Sequence, residues 1–197
     1  MKMKFKKVEL PYLYNSLEPY IDEETVKTHY EKHHFGYESK FNAAIQNTVI
    51  EKNYETIEEV MKNFSEIPSE LINVTKTAGG GLINHNIYWN QFVVDRDLTK
   101  IEKEYLKKIV KQFGSKEDFK KKMIEKGLSI FGSGWVWAVI EEEQIKIITT
   151  PNQENPFMNG FQEIIMGIDV WEHAYYLKYK SDRKTYIENI FNLTIVK

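Results

Sequence analysis

Apolar and aromatic residues recur at helical spacing between Glu23 and about Thr48, at Val26, Tyr30, Tyr37, Phe41, Ala44 and Ile45, with no proline among them. The pattern predicts one long helix, bent near Gly36, where glycine costs about 1 kcal/mol relative to alanine. Before it, Pro11 to Pro19 reads as an extended lead-in, because proline disfavours helix in the residue that precedes it. Asn53 to Phe64 reads as a short helix stopped before Ile67-Pro68. Ser69 to about Val94 forms a second long helical region. Gly79-Gly80-Gly81 must either interrupt it or let another backbone approach closely. Thr99 to Phe113 and Ser115 to Lys126 read as two further helices, with Ser115 and Asp118 in an N-cap arrangement.

The period then changes. Phe131-Gly132-Ser133-Gly134 breaks the helical pattern, and Trp135 to Ile140 is a continuous apolar run rich in strand formers. Glu141 to Gln144 is a polar turn and Ile145 to Thr150 alternates, so the two runs predict a β-hairpin. Pro151 to Pro156 is a loop, Ile164 to Val170 a third strand, and Trp171 to Tyr179 and Asp182 to Asn192 closing helices. Residues 1–94 are therefore expected to be helical, and residues 95–197 to combine helices with a small sheet, an α+β chain in two parts.

Composition narrows the function classes. The 197 residues carry 27 basic and 29 acidic side chains, a formal net charge of −2, which argues against a nucleic-acid-binding role. No apolar run approaches the roughly 18 residues of a membrane helix. There is no cysteine, which excludes disulfides and thiolate metal sites. Met1 to Leu10 is basic but lacks the apolar stretch and cleavage site of a secretory signal, so a cytoplasmic location is the default expectation. Lys120, Lys121 and Lys122 read as a solvated helix face. Aromatic residues reach 14%, more than a core alone calls for, and suggest rings packed around a site.

The five histidines are His29, His33, His34, His85 and His173. His29, His33 and Tyr37 are four apart and share a helix face. Taken singly, His29 and His85 read as core histidines, but the i, i+4 pair at 29 and 33 also lets two imidazoles converge on one ion. Position 30 is Tyr, so this is not the zinc-protease motif. Asp169 and His173 are close enough to reach one ion from a turn, and neighbouring Glu172 is a natural acceptor for an imidazole N–H. Three neutral imidazoles and a carboxylate suit Mn, Fe or Zn and not Ca. Other readings stay open on residues alone. Glu31-x-x-His34 is half of a di-iron motif with no second copy. A zinc hydrolase, or a purely structural subunit, would also accommodate the ligand set.

Over nearly its whole length the chain resembles the iron/manganese superoxide dismutases. The matching stretches are Leu10-Pro11-Tyr12 with Leu17-Glu18-Pro19, His29-x-x-x-His33-His34-x-x-Tyr37, Asn84-His85-x-x-Tyr88-Trp89, Gly132-Ser133-Gly134-Trp135-Val136-Trp137, Asn152-Gln153, and Asp169-Val170-Trp171-Glu172-His173-Ala174-Tyr175-Tyr176. The resemblance implies an N-terminal antiparallel helical hairpin and a C-terminal α/β domain with a three-stranded antiparallel sheet. It implies that His29, His85, Asp169 and His173 hold one Mn or Fe ion, which cycles between M³⁺ and M²⁺ while superoxide becomes O₂ and H₂O₂, an antioxidant activity. His33 and Tyr37 match residues at the mouth of the substrate channel, and Asn84, Trp135, Trp137 and Trp171 match the surrounding shell. Glu172, His173 and Tyr175 match a homodimer interface. In the family, a glutamine that tunes the metal comes from one of two places. The iron type takes it from the position of Gly81, and the manganese type from that of Gln153. This chain is therefore expected to be of manganese type. Phe35-Gly36 and Phe161-Gln162-Glu163 depart from the family pattern without touching a ligand position.

Overall fold

The computed structural model describes residues 3–197; Met1 and Lys2, at the start of the basic amino-terminal segment, lie outside the described residues. Helix α1 (Glu23–Thr28) is capped by Asp22, whose carboxylate accepts the Thr25 N–H. It runs through a π-helical segment, His29–His34, into α2 (Phe35–Ile45). The expected bend at Gly36 is not there: a Cβ at Gly36 would meet open space, and the irregularity lies one turn earlier, under the histidines. The helix also ends at Ile45 rather than about Thr48, and Asn47 beyond it takes a positive φ.

Two short helices follow: α4 (Ile57–Lys62) falls inside the expected Asn53 to Phe64 window, and α3 (Val49–Asn53) lies ahead of it. The divider is a capping box, Thr56 with Glu59, which starts a new helix inside that window. The second long region is α5 (Ser69–Val74), a π segment (Thr75–Gly79) and α6 (Gly80–Asn90). Both outcomes expected of the glycines occur. The helix deviates over the segment that ends at Gly79, and neighbours crowd the next two glycines: a Cβ on Gly80 would clash with the Gln153 carbonyl oxygen, and one on Gly81 with the Tyr37 ring.

Helices α7 (Lys100–Phe113) and α8 (Lys116–Leu128) begin at Thr99 and Ser115, both of which cap through their side chains. Strands β1 (Gly134–Glu141), β2 (Gln144–Pro151) and β3 (Glu163–Asp169) form an antiparallel sheet in the order β2-β1-β3. β1 is central and buried nearly throughout, which is why its sequence is a continuous apolar run, while the edge strand β2 keeps alternation. Glu142 and Glu143, the two hairpin-turn residues, both take positive φ, as the strand twist favours. The chain closes with α9 (Tyr176–Tyr179) and α10 (Arg183–Ile190). No helix among the described residues is long and apolar enough to cross a membrane.

The described residues form two apolar cores. The larger packs the inner sheet residues Trp135, Val136 and Ile168 against Tyr88, Trp89, Phe119 and Tyr186. The smaller lies among the first helices, around Phe41, Ile50, Val60 and Leu82, and also takes in Phe157 from the C-terminal half. Helix α6 contributes to both, burying nearly every residue from Gly80 to Trp89, as expected of a helix apolar on all sides. Gln91, just past its end, donates through Nε2 to the Gly167 carbonyl (2.8 Å) and accepts the Gly167 N–H (3.0 Å). That amide pairs with the outer edge of β3 and ties it to α6.

The short link between the halves is held by charge. Glu102 accepts from Arg96 Nη1 (2.8 Å) and Nη2 (2.7 Å) and from the Thr99 N–H (2.7 Å). The Arg96 hydrogen bond is the main cause that holds the Glu102 carboxyl down at about 2, against an ordinary 4.5. A carboxyl whose folded value is depressed adds stability above its unfolded value and loses it as pH falls toward the folded one. We expect Glu102→Gln to remove the part of the acid sensitivity that falls between about pH 4.5 and pH 2. Urea denaturation at a series of pH values would check this; parallel losses in both proteins would mean that the pair contributes nothing.

Candidate metal centre

Four side chains from four places in the fold meet at one point. His29 opens the first π segment, His85 lies in α6, Asp169 ends β3, and His173 follows in a short 3-10 turn, Glu172–Ala174. One ligand atom from each lies within 4.8 Å of all the others. The centre of the arrangement is Asp169 Oδ2, with the Nε2 atoms of His173, His29 and His85 at 3.0, 3.3 and 3.5 Å. Asp169 and His85 are fully buried and His29 is 1% exposed.

Each residue has a local reason for its aim. The Trp171 N–H donates to Asp169 Oδ1 (2.9 Å), which leaves Oδ2 for the histidines. His85 Nδ1 lies 2.6 Å from the Gly81 carbonyl, an acceptor, so Nδ1 carries the proton and Nε2 offers its lone pair inward. Trp135 stands opposite Asp169 in the β1–β3 register, and its ring meets His85 edge-on at 5.3 Å. His34, also buried, stacks on the far side of His85 at 5.4 Å. Neither the i, i+4 spacing nor the apolar pattern distinguishes it, yet it helps to fix the imidazole from behind.

Protonation states follow from burial and proximity. Burial holds His29 down at about 4, with His173 adding to the effect, and burial also lowers His85 well below its ordinary value. Burial alone would raise the Asp169 carboxyl, but His173 and His29 outweigh it and the net shift is downward. At neutral pH His29 and His85 are thus neutral imidazoles facing the Asp169 carboxylate, the form in which these groups bind metal. The Nε2 atoms of His29 and His85 are buried without a hydrogen-bond partner. Leaving two such acceptors unsatisfied is costly, and a cation within the cluster would satisfy both. The residues present therefore fit a single borderline ion bound by three nitrogens and one oxygen. The half-motif Glu31-x-x-His34 is not part of it: Glu31 Oε1 accepts from Tyr14 Oη instead (3.0 Å).

The other expected site residues ring this cluster. His33 is partly exposed and stacks on His173 at 4.2 Å and 21°. Tyr37 is also partly exposed, and its ring lies 5.3 Å from that of His85. Gln153 is buried; its Nε2 donates to Tyr37 Oη (3.0 Å), and its Oε1 accepts from Asn84 Nδ2 and Trp135 Nε1 (both 3.1 Å). Burial, with the Asp169 charge second, pushes the Tyr37 phenol up to about 12, so it keeps its proton across the neutral range. Trp137 Nε1 donates to Thr150 Oγ1 (2.9 Å), and Trp171 Nε1 to the Asn152 carbonyl (2.9 Å). Glu172 is exposed, and Tyr175 is buried, stacked on Tyr186 at 5.0 Å. Nothing in the residue pattern marks Gln91, Thr150 or Asn155, whose partners are distant or are backbone groups.

Two family models match the chain in order. That of the iron/manganese superoxide dismutases' alpha-hairpin domain matches residues 4–93, and that of their C-terminal domain matches residues 101–196. Each half supplies two of the four clustered residues. Matched in both halves, the chain belongs to the iron/manganese superoxide dismutase family.

Proposed function

We propose that the chain is a manganese-preferring superoxide dismutase, with the ion held by His29, His85, Asp169 and His173. When bound, the ion supplies one-electron chemistry, accepting an electron from one superoxide and giving one to a second, with two protons completing H₂O₂. The chain's own residues do the rest. The buried aromatic wall of Trp89, Trp135 and Trp137 keeps water away and strengthens each dipole near the cluster. His33 and Tyr37, the partly exposed members, line the way in for a small anion. Tyr37 holds its proton at neutral pH, and Gln153 donates to its oxygen.

The support for manganese is the source of the glutamine. Gln153 reaches the Tyr37 hydroxyl from the loop after β2, while the Tyr37 ring fills the space beside Gly81 that a side chain there would need. Iron remains the second candidate, because the ligand set accepts either ion.

A second copy of the chain is part of this proposal. Phe131 is fully exposed at 105%, and Tyr176 and Leu177 are exposed nearby. The loop that carries Phe131 is fixed: Arg183 donates to the Ile130 carbonyl (2.7 Å), to the Gly132 carbonyl (2.8 Å) and to Tyr175 Oη (3.2 Å). An exposed aromatic on a loop that Arg183 ties to Tyr175 suits a self-complementary face.

Three outcomes test these assignments. Separately reconstituted Mn and Fe forms should differ, with activity near one Mn per chain and little with Fe; equal activity would remove the metal preference. Asp169→Ala should weaken metal binding by more than the roughly 100-fold that loss of a supporting hydrogen bond costs, whereas Tyr37→Phe should bind metal normally and change turnover. Metal analysis after dialysis separates the two, and metal loss from Tyr37→Phe would mean that the residue is misassigned. Phe131→Asp should weaken self-association by about 2 kcal/mol or more, roughly thirty-fold in Kd, as read by sedimentation equilibrium. An unchanged association constant would move the interface elsewhere.

A further inference from the structure

Gln153 can serve the cluster only if its NH₂ group, not its carbonyl oxygen, faces Tyr37. The two ends of a side-chain amide have nearly the same shape, so packing alone does not choose between them. The choice here is made by hydrogen-bond polarity. Trp135 Nε1 is a donor only, and it meets Gln153 Oε1 at 3.1 Å. A second chain of amides leads to the same oxygen. It starts at the Phe157 backbone N–H, also a donor only, which donates to Asn155 Oδ1 (2.9 Å). Asn155 must then present Nδ2, which donates to Asn84 Oδ1 (2.7 Å). Asn84 must in turn present Nδ2, which donates to Gln153 Oε1 (3.1 Å) and to the Gln153 carbonyl (3.2 Å). Asn155 and Asn84 are fully buried and Gln153 is 4% exposed, so no water is at hand to reverse a link.

We propose that Asn155 is a positioning residue for the dismutase reaction. Through Asn84, and together with Trp135, it fixes the polarity of the Gln153 amide, so that a donor is aimed at Tyr37 and the metal cluster. Asn155 touches neither the cluster nor Tyr37. Its effect passes through two amides that read direction as well as distance. The proposal rests on the reading of Gln153 as the residue that tunes the bound ion, and its test separates the two ideas.

Asn155→Asp is the informative change. The carboxylate still accepts the Phe157 N–H and still caps the turn Pro156–Asn159, but it offers Asn84 an acceptor where a donor stood. Asn84 must turn over, which places its oxygen against Gln153 Oε1. In the metal-free, isotope-labelled full chain, we expect the Gln153 side-chain NH₂ resonances to move and to exchange faster. In the Mn-loaded enzyme, we expect full metal content, a shifted reduction potential and roughly a tenfold fall in kcat, the size of one lost buried hydrogen bond to a charged centre, with KM within about twofold. A buried carboxylate also shifts the potential by its own charge, so the relay is read from the uncharged Asn155→Ser, whose potential shift should vanish in a Gln153→Ala background.

The proposal is overturned if the Gln153 resonances stay in place, or if the potential shift of Asn155→Ser persists in the Gln153→Ala background. If Gln153→Ala itself leaves the potential unchanged, the tuning role of Gln153 falls, and the metal-free resonances still decide whether the relay exists. Should Asn155→Asp not fold, Asn155→Ser keeps a cap for Phe157 with a side chain too short to serve Asn84, and the same readouts apply.

Discussion

Asp169 Oδ2 is a buried carboxylate oxygen with three imidazole nitrogens between 3.0 and 3.5 Å away. Such a group is stable inside a protein only when charge and hydrogen bonds compensate its loss of water. Much of the fold can be read as that compensation. The first π segment and α6 bring His29 and His85 from one half, and the end of β3 and the turn after it bring Asp169 and His173 from the other. Neither half holds more than two of the four, so the cluster exists only when the halves are packed together. Binding an ion is then inseparable from holding the two halves in contact, and the ion's affinity adds to the stability of the whole chain.

The glycines show how closely the surroundings are fitted. The Tyr37 ring takes the space beside Gly81, the Gln153 carbonyl that beside Gly80, and the Trp137 ring that beside Gly167, where a Cβ would come within 2.2 Å. Each absent side chain admits a residue that faces or supports the cluster. Gln91 works in the opposite sense. Its amide substitutes for a fourth strand at Gly167, two residues before Asp169, and so couples the strand that carries the carboxylate to the helix that carries His85.

The sequence was most legible where many residues repeat one choice. The central strand showed itself as an unbroken apolar run, the hairpin as that run followed by an alternating one, and α7 and α8 as periodic segments with capping residues. The four clustered residues were legible through motif spacing and family resemblance, and geometry then brought them together. Other features depend on single residues and long separations. Asn155 meets Asn84 across 71 positions and Gln91 meets Gly167 across 76, and neither asparagine nor glutamine announces its partner. The expected bend at Gly36 failed for a related reason: propensity locates a weak point in an isolated helix, whereas packing around His29 to His34 decided where this one deviates.

Both helical stretches that supply histidines pass through a π segment, His29–His34 in one and Thr75–Gly79 in the other. A π turn holds one residue more than the α-helix on either side can accommodate. Removing a residue there would let the helix relax to regular geometry and turn everything beyond it by about 100°. His33 and Tyr37 would then leave the face they share with His29, and His85 would swing away from Asp169. Insertions and deletions in these segments are thus far more damaging than replacements. Length variation in such a chain belongs in the exposed turns, such as Glu142-Glu143, where an extra residue changes no angle at the cluster.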